Sequence, residues 1–172
     1  MAESTTKLTG GCACGAVRYE IGAEPIFVNN CHCVLCQRQT GSTSVVNAFV
    51  ETDVLTRLSG ETVRHVVKTG SGGDHVIVRC ASCGTALWSH YPRLGELGAG
   101  VRAGTLDDPG AVRPDAAIFT ASRMPWVTLP DGIPHFKATY DPAELLPPER
   151  FARLKALVEQ RAAQAAEADR RG

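Results

Sequence analysis

Between residues 16 and 140 apolar positions come in short β-forming runs broken by glycine and proline, with no long helical period. The pattern predicts strands over 17–21, 25–30, 44–50, 63–69, 75–79, 98–103, 117–119 and 135–140. Gly70, Ser71, Gly72, Gly73 and Asp74 form a glycine-rich link suited to a hairpin, which delivers Cys80 at the end of a strand. Residues 36–40 are good helix formers that stop at Gly41, so one or two helical turns belong there. After Pro147 and Pro148 the pattern changes to a helix over 149–171, opened by Pro148 near its first position. Phe151, Leu154, Leu157 and Val158 form one apolar stripe on it, with Arg150, Arg153, Lys155 and Glu159 elsewhere around the helix. That stripe is expected to pack on the protein's own sheet. Beyond Arg161 it fades into alanines, leaving the last turns to fray or to join copies of the chain as a homo-oligomer. The expected architecture is mainly β with a C-terminal helix, divided as a domain over 8–140 and a helical extension over 141–172.

A chain of 172 residues can bury a core without disulfides. Its 18 basic and 18 acidic residues balance, so no global field draws in nucleic acid, and no basic tract argues for it. The start is polar, and no run approaches the length of a membrane helix. A cytoplasmic protein with neither a nucleic-acid nor a membrane partner is expected. Thiols stay reduced in that compartment, so clustered cysteines read first as metal ligands or catalytic groups.

All seven cysteines fall in three tight groups: Cys12 and Cys14; Cys31, Cys33 and Cys36; Cys80 and Cys83. A disulfide between cysteines one residue apart is severely strained, whereas short loops turn two sulfurs toward one ion, most often zinc. Seven ligands divide as four plus three. A ribbon arrangement would join Cys33 and Cys36 to Cys80 and Cys83, leaving Cys12, Cys14 and Cys31 without a complete site. The simpler division joins Cys12 and Cys14 to Cys80 and Cys83, and leaves Cys31, Cys33 and Cys36 with room for an exchangeable fourth ligand. A histidine among His32, His65, His75 and His90 could instead complete that second set as a purely structural site.

The stretches Gly11-Cys12-Ala13-Cys14-Gly15-Ala16-Val17-Arg18-Tyr19, Cys31-His32-Cys33-Val34-Leu35-Cys36-Gln37-Arg38 followed by Gly41-Ser42, and Cys80-Ala81-Ser82-Cys83-Gly84-Thr85 resemble the glutathione-dependent formaldehyde-activating enzyme family, which also includes the centromere protein V domain. Ala103-Gly104-Thr105-Leu106-Asp107-Asp108-Pro109, Ser122-Arg123-Met124-Pro125-Trp126 and Leu129-Pro130-Asp131-Gly132 agree with it, over roughly residues 8–136. The resemblance implies an Mss4-like fold with two zinc ions per chain. It assigns Cys12, Cys14, Cys80 and Cys83 to a structural zinc and Cys31, Cys33 and Cys36 to a catalytic one, which is expected to be more labile because three protein ligands hold an ion less securely than four. It also implies carbon-sulfur lyase chemistry on a small thiol and aldehyde, as in forming S-hydroxymethylglutathione from glutathione and formaldehyde. The other function classes are a zinc-stabilised binding module and an enzyme of the same fold acting on a different small substrate.

Around the three-cysteine set the sequence offers few helpers. His32 lies between two ligands and is expected to point away from them, in a supporting or surface role. Arg38 and Arg123 could grip a substrate carboxylate but read more simply as solvated or structural. Trp88 and Trp126 are expected to fill core, and Asp107-Asp108-Pro109 to shape a turn.

Overall fold

The computed structural model describes residues 7–70 and 72–171, so Ser71 of the glycine-rich link and the start before Lys7 lie outside the described residues. Ten strands are found among them: β1 (Leu8–Gly11), β2 (Arg18–Ile21), β3 (Phe27–Cys31), β4 (Val45–Glu51), β5 (Leu55–Ser59), β6 (Thr62–Lys68), β7 (Asp74–Cys80), β8 (Ala86–His90), β9 (Gly98–Arg102) and β10 (Ala116–Ile118). Three helices join them: α1 (Val34–Thr40), α2 (Pro142–Leu145) and α3 (Pro148–Arg171). The strands form a three-stranded sheet, β1-β2-β5, and a seven-stranded sheet, β10-β3-β4-β9-β8-β7-β6. The architecture is mostly β with a C-terminal helix, as the apolar pattern predicts.

The main core joins the two sheets. Tyr19 and Ile21 of β2 pack with Val50, Val78, Ala99 and Val101 of the large sheet. Gly10 of β1, paired with Tyr19, leaves room for that ring, since a Cβ there would sit against the Tyr19 hydroxyl and the Thr105 carbonyl. On the opposite face of the large sheet the register sets three rows. Phe27 faces Phe49 and Phe49 faces Gly100; Asn29 faces Asn47 and Asn47 faces Arg102; Cys31 faces Val45. The first row is covered by α3, whose Phe151, Leu154, Leu157 and Val158 join Ile26, Leu94, Phe27 and Phe49 in a second core. The apolar stripe of the tail therefore packs on the protein's own sheet. Arg150 and Arg153, read from sequence as lying off that stripe, fix the helix at its flanks by pairing with Asp115 and Glu51.

Two departures from the sequence pattern have local causes. Residues 135–140 form no strand: His135 makes one parallel bridge to Ala117, and the ladder stops there. Pro134 brings no N–H, and Phe119 adopts φ 54°, which turns the backbone out of extended geometry. Strands β1, β5 and β8 are additions. β8 is buried along almost its whole length, so it carries no polar-apolar alternation to read, while β1 ends in two glycines that weaken any strand signal.

Candidate metal centres

Cys12 and Cys14 sit in the loop after β1; Cys80 closes β7, and Cys83 lies in the turn before β8. The two loops are built alike. Gly15 N–H donates to the Cys12 carbonyl and Gly84 N–H to the Cys80 carbonyl, each at 3.0 Å, and both glycines take positive φ, 79° and 74°. A side chain would be strained at either position, so Cys-x-Cys-Gly and Cys-x-x-Cys-Gly are turn-forming units as well as ligand pairs. The hydroxyl of Thr85 lies 3.1 Å from Cys83 Sγ and accepts from Ala13 N–H at 3.3 Å, tying one loop to the other. The four Sγ atoms lie within 4.8 Å of one another, with Cys12 and Cys14 at 3.4 Å and Cys14 and Cys80 at 3.9 Å.

Those separations fit a metal. They are far beyond the about 2.05 Å of a disulfide. They bracket the about 3.8 Å between ligands of a tetrahedral ion with sulfur at about 2.3 Å. Cys12 and Cys80 are buried, whereas Cys14 and Cys83 are exposed. Hydrogen bonding by Thr85 pulls the Cys83 thiol down to about 5, favouring the ionised form a metal needs.

The second cluster is made by one short segment. Cys31 ends β3, Cys33 caps α1 and Cys36 lies in its first turn, with all three Sγ within 4.8 Å of one another. No fourth Cys, His, Asp or Glu joins them among the described residues. Cys36 N–H donates to Cys33 Sγ at 3.4 Å, as a capping side chain would accept. Hydrogen bonds from Cys31, then Cys36, push the Cys33 thiol far down, while Cys33, Cys36 and burial push Cys31 up. The ribbon pairing of Cys33 and Cys36 with Cys80 and Cys83 is not what the fold makes.

The segment is pinned from both sides. Gln37 Nε2 donates to the His32 carbonyl at 2.7 Å and to the Ser122 carbonyl at 2.9 Å, and His32 N–H donates to the Ile118 carbonyl at 2.9 Å. Thr40 Oγ1 donates to the Cys36 carbonyl, and Gly41, at φ 64°, ends the helix. Beneath α1 lies a polar group that sequence reading did not pick out. Arg102 is 5% exposed and donates to Asn47 Oδ1, to the Tyr91 hydroxyl at 3.2 Å, to Gln39 Oε1 at 3.1 Å and to Ser89 Oγ at 2.8 Å. Gln39 Nε2 also contacts His75 Nδ1 at 3.1 Å, and His75 stacks on Tyr91. The available signal was a lone arginine in the run Gly98-Ala99-Gly100-Val101-Arg102-Ala103, where nothing else is charged. A cleft of about 430 Å³ opens beside it, lined by Gln39, Thr40, Val45, Arg79, Arg102 and Cys83.

Glutathione-dependent formaldehyde-activating enzyme is the description of the family model that matches residues 7–122. The chain belongs to this family. Both cysteine clusters lie inside the match, and α2 and α3 lie beyond it. A curated Halomonas elongata protein, provisionally named a glutathione-dependent formaldehyde-activating enzyme, is 34% identical over 97 residues. The alignment spans 52% of this chain and 60% of that relative's length. A Rhodobacter sphaeroides protein of known crystal structure superposes with a TM-score of 0.45 at 19% identity, over 74% of this chain and 98% of the other.

Other residues singled out from sequence fall into place around this family core. His32 is 1% exposed and belongs to neither cluster, so the surface role is corrected: its ring is buried, and neither nitrogen has a hydrogen-bond partner among the described residues. Arg38 is exposed, and Arg123 is half-buried and donates to the Val127 carbonyl. Trp88 fills core beside Tyr19, but Trp126 is 73% exposed because its loop leaves the sheet after the helical turn that follows β10. Asp108 does cap a turn, accepting from Gly110 N–H at 2.9 Å. Asp107 instead binds Arg18 and the Thr9 hydroxyl, and those two bonds pull its carboxyl down to about 2.

Proposed function

We propose that this protein is a zinc-dependent carbon-sulfur lyase-type enzyme that interconverts a small thiol plus an aldehyde with their adduct at Cys31, Cys33 and Cys36. Glutathione and formaldehyde are the substrates its family description suggests. The observation that carries this reading is the contrast between the clusters. Four sulfurs from two distant segments would close one ion completely, while three sulfurs from one segment leave a tetrahedral ion one position short. On this reading the first ion is structural, on an Mss4-like domain over 8–140 with 141–172 as a helical extension, and the protein works in the cytoplasm.

A zinc ion at the three-cysteine centre supplies a Lewis-acid position with an exchangeable ligand. The chain supplies the rest. Gln37 and the Ile118 carbonyl hold the ligand segment still, so the three sulfurs that would hold the ion keep fixed positions in the fold. Burial of Cys31 and Cys36 keeps bulk water off the inner side, and half-exposed Cys33 marks the side on which a substrate arrives. In the forward direction the thiol sulfur attacks the carbonyl carbon. One C–S bond forms, the carbonyl π pair moves to oxygen, and that oxygen gains the proton the thiol has lost. No oxidant or reductant is consumed.

The test is thiol-dependent loss of formaldehyde, measured above the spontaneous rate with zinc-loaded full chain. Acceleration with glutathione or another small thiol supports the reading. A fully loaded protein that accelerates the reaction with no thiol overturns it.

A further inference from the structure

The buried guanidinium of Arg102 has an unusual set of partners. Four neutral oxygens, on Asn47, Tyr91, Gln39 and Ser89, accept from its two terminal nitrogens, and its Nε has no partner among the described residues. No carboxylate pairs with it among the described residues, in contrast to Arg150 and Arg153, which pair with Asp115 and Glu51. A buried charge without a counter-charge is costly, so its countercharge must come from elsewhere.

The sheet register shows where. Arg102 faces Asn47, and one alternation along, on the same face, Val45 faces Cys31. Gln39, which accepts from Arg102, stands one helical turn after Cys36 in α1. The guanidinium thus lies under the helix that carries Cys36, bonded to it through Gln39. Three thiolates outweigh a divalent ion by one negative charge, and a fourth anionic ligand raises the excess to two. The four-cysteine centre can shed such an excess into water, because Cys14 and Cys83 are exposed. The three-cysteine centre sheds it less readily, with Cys31 and Cys36 at 6% and 3% exposure and Cys33 only partly exposed.

We propose that Arg102 is the built-in counter-charge of the three-cysteine centre and biases its open position toward an anionic ligand, a thiolate, over a neutral one. The proposal rests on reading that centre as the open metal site. Arg102 acts through its field across the Gln39 and Asn47 network, without touching the substrate. A thiol that binds gives up its proton to the buffer, so the complex gains one negative charge, which the guanidinium offsets.

Cobalt(II)-loaded full chain, titrated with 2-mercaptoethanol and separately with imidazole and followed by its visible absorption, tests this. In R102Q the amide keeps hydrogen-bonding capacity but the charge is gone. Thiol affinity is expected to fall about tenfold or more, with imidazole affinity changed less than about threefold. R102K, which keeps the charge, should hold the ratio of the two affinities within about threefold of the parent. N47D gives Arg102 a carboxylate at the place of an existing acceptor and is expected to lower thiol preference as R102Q does, so the test stands if R102Q does not fold. Equal loss of both ligands in R102Q, an unchanged ratio in R102Q or N47D, or a lysine variant as impaired as the glutamine one overturns the proposal. A parent chain that takes up only one cobalt overturns the open-site reading itself; a parent that takes up two and binds thiol leaves that reading intact whatever the variants do.

Discussion

Cys14 Sγ lies 3.9 Å from Cys80 Sγ although 66 residues separate them along the chain. A metal bound between them ties the loop after β1 to the end of β7, one in each sheet. Because that site forms only in the folded chain, the ion's binding free energy is folding free energy. Cys80→Ser is therefore expected to lower the thermal midpoint by more than about 10 °C or to prevent soluble expression. A midpoint equal to that of the parent would refute the structural role.

Loss of a ligand from the other cluster should behave differently. Cys31, Cys33 and Cys36 belong to one segment already held by Gln37 and by the Ile118 carbonyl. Cys33→Ser is expected to shift the midpoint by less than about 5 °C while abolishing thiol-dependent formaldehyde loss. Retained activity in a zinc-analysed Cys33→Ser preparation would remove the catalytic assignment.

Two zinc ions per chain are expected after gentle preparation, and they should leave separately. A centre with three protein ligands holds its ion less securely than one with four, so a mild chelator should remove one equivalent first. Metal analysis along the chelator series checks this, and Cys33→Ser should lack the fast equivalent. Simultaneous release of both ions would contradict the division.

His75 predicts a pH dependence. Burial, and then the charge of Arg102, lower its pKa from 6.5 to about 4. The folded chain keeps the ring neutral while the unfolded chain takes up a proton below about 6.5. Its contribution is therefore intact above 6.5 and is lost as pH falls from 6.5 toward 4. Denaturant midpoints of the parent and of His75→Gln, followed across that window, should converge as pH falls. Metal release in acid affects both proteins alike, so parallel curves would show that His75 titrates normally in the fold.

The tail helix should divide at Arg161. Leu154 and Leu157 are buried against Ile26 and Leu94, while residues 162–168 are exposed. Leu154→Ala is expected to cost about 2–4 kcal/mol. Ending the chain after Arg161 should move the midpoint by less than about 2 °C. A large loss on that truncation would show that the last turns carry a contact of their own.

Much of this could be read from the chain because it is local. The stripe Phe151, Leu154, Leu157, Val158 specifies a helix and its buried face by spacing alone. Cys-x-Cys-Gly and Cys-x-x-Cys-Gly encode turns that aim two sulfurs together, whichever partner completes the set. What spacing left open was which pairs meet, because that depends on a sheet order, β10-β3-β4-β9-β8-β7-β6, that no local pattern contains. The same holds for His32 and Trp126, whose buried and exposed placements follow from where β10 and its loop run. Arg102 shows the limit most sharply. In sequence it is one arginine in an apolar run; only the register that sets it beside Asn47, and α1 that sets Gln39 above it, put a positive charge beneath the helix that carries Cys36. Short-range chemistry fixed the ligands, and long-range pairing decided their surroundings, since the field of a buried charge depends on distance in space and not on separation along the chain.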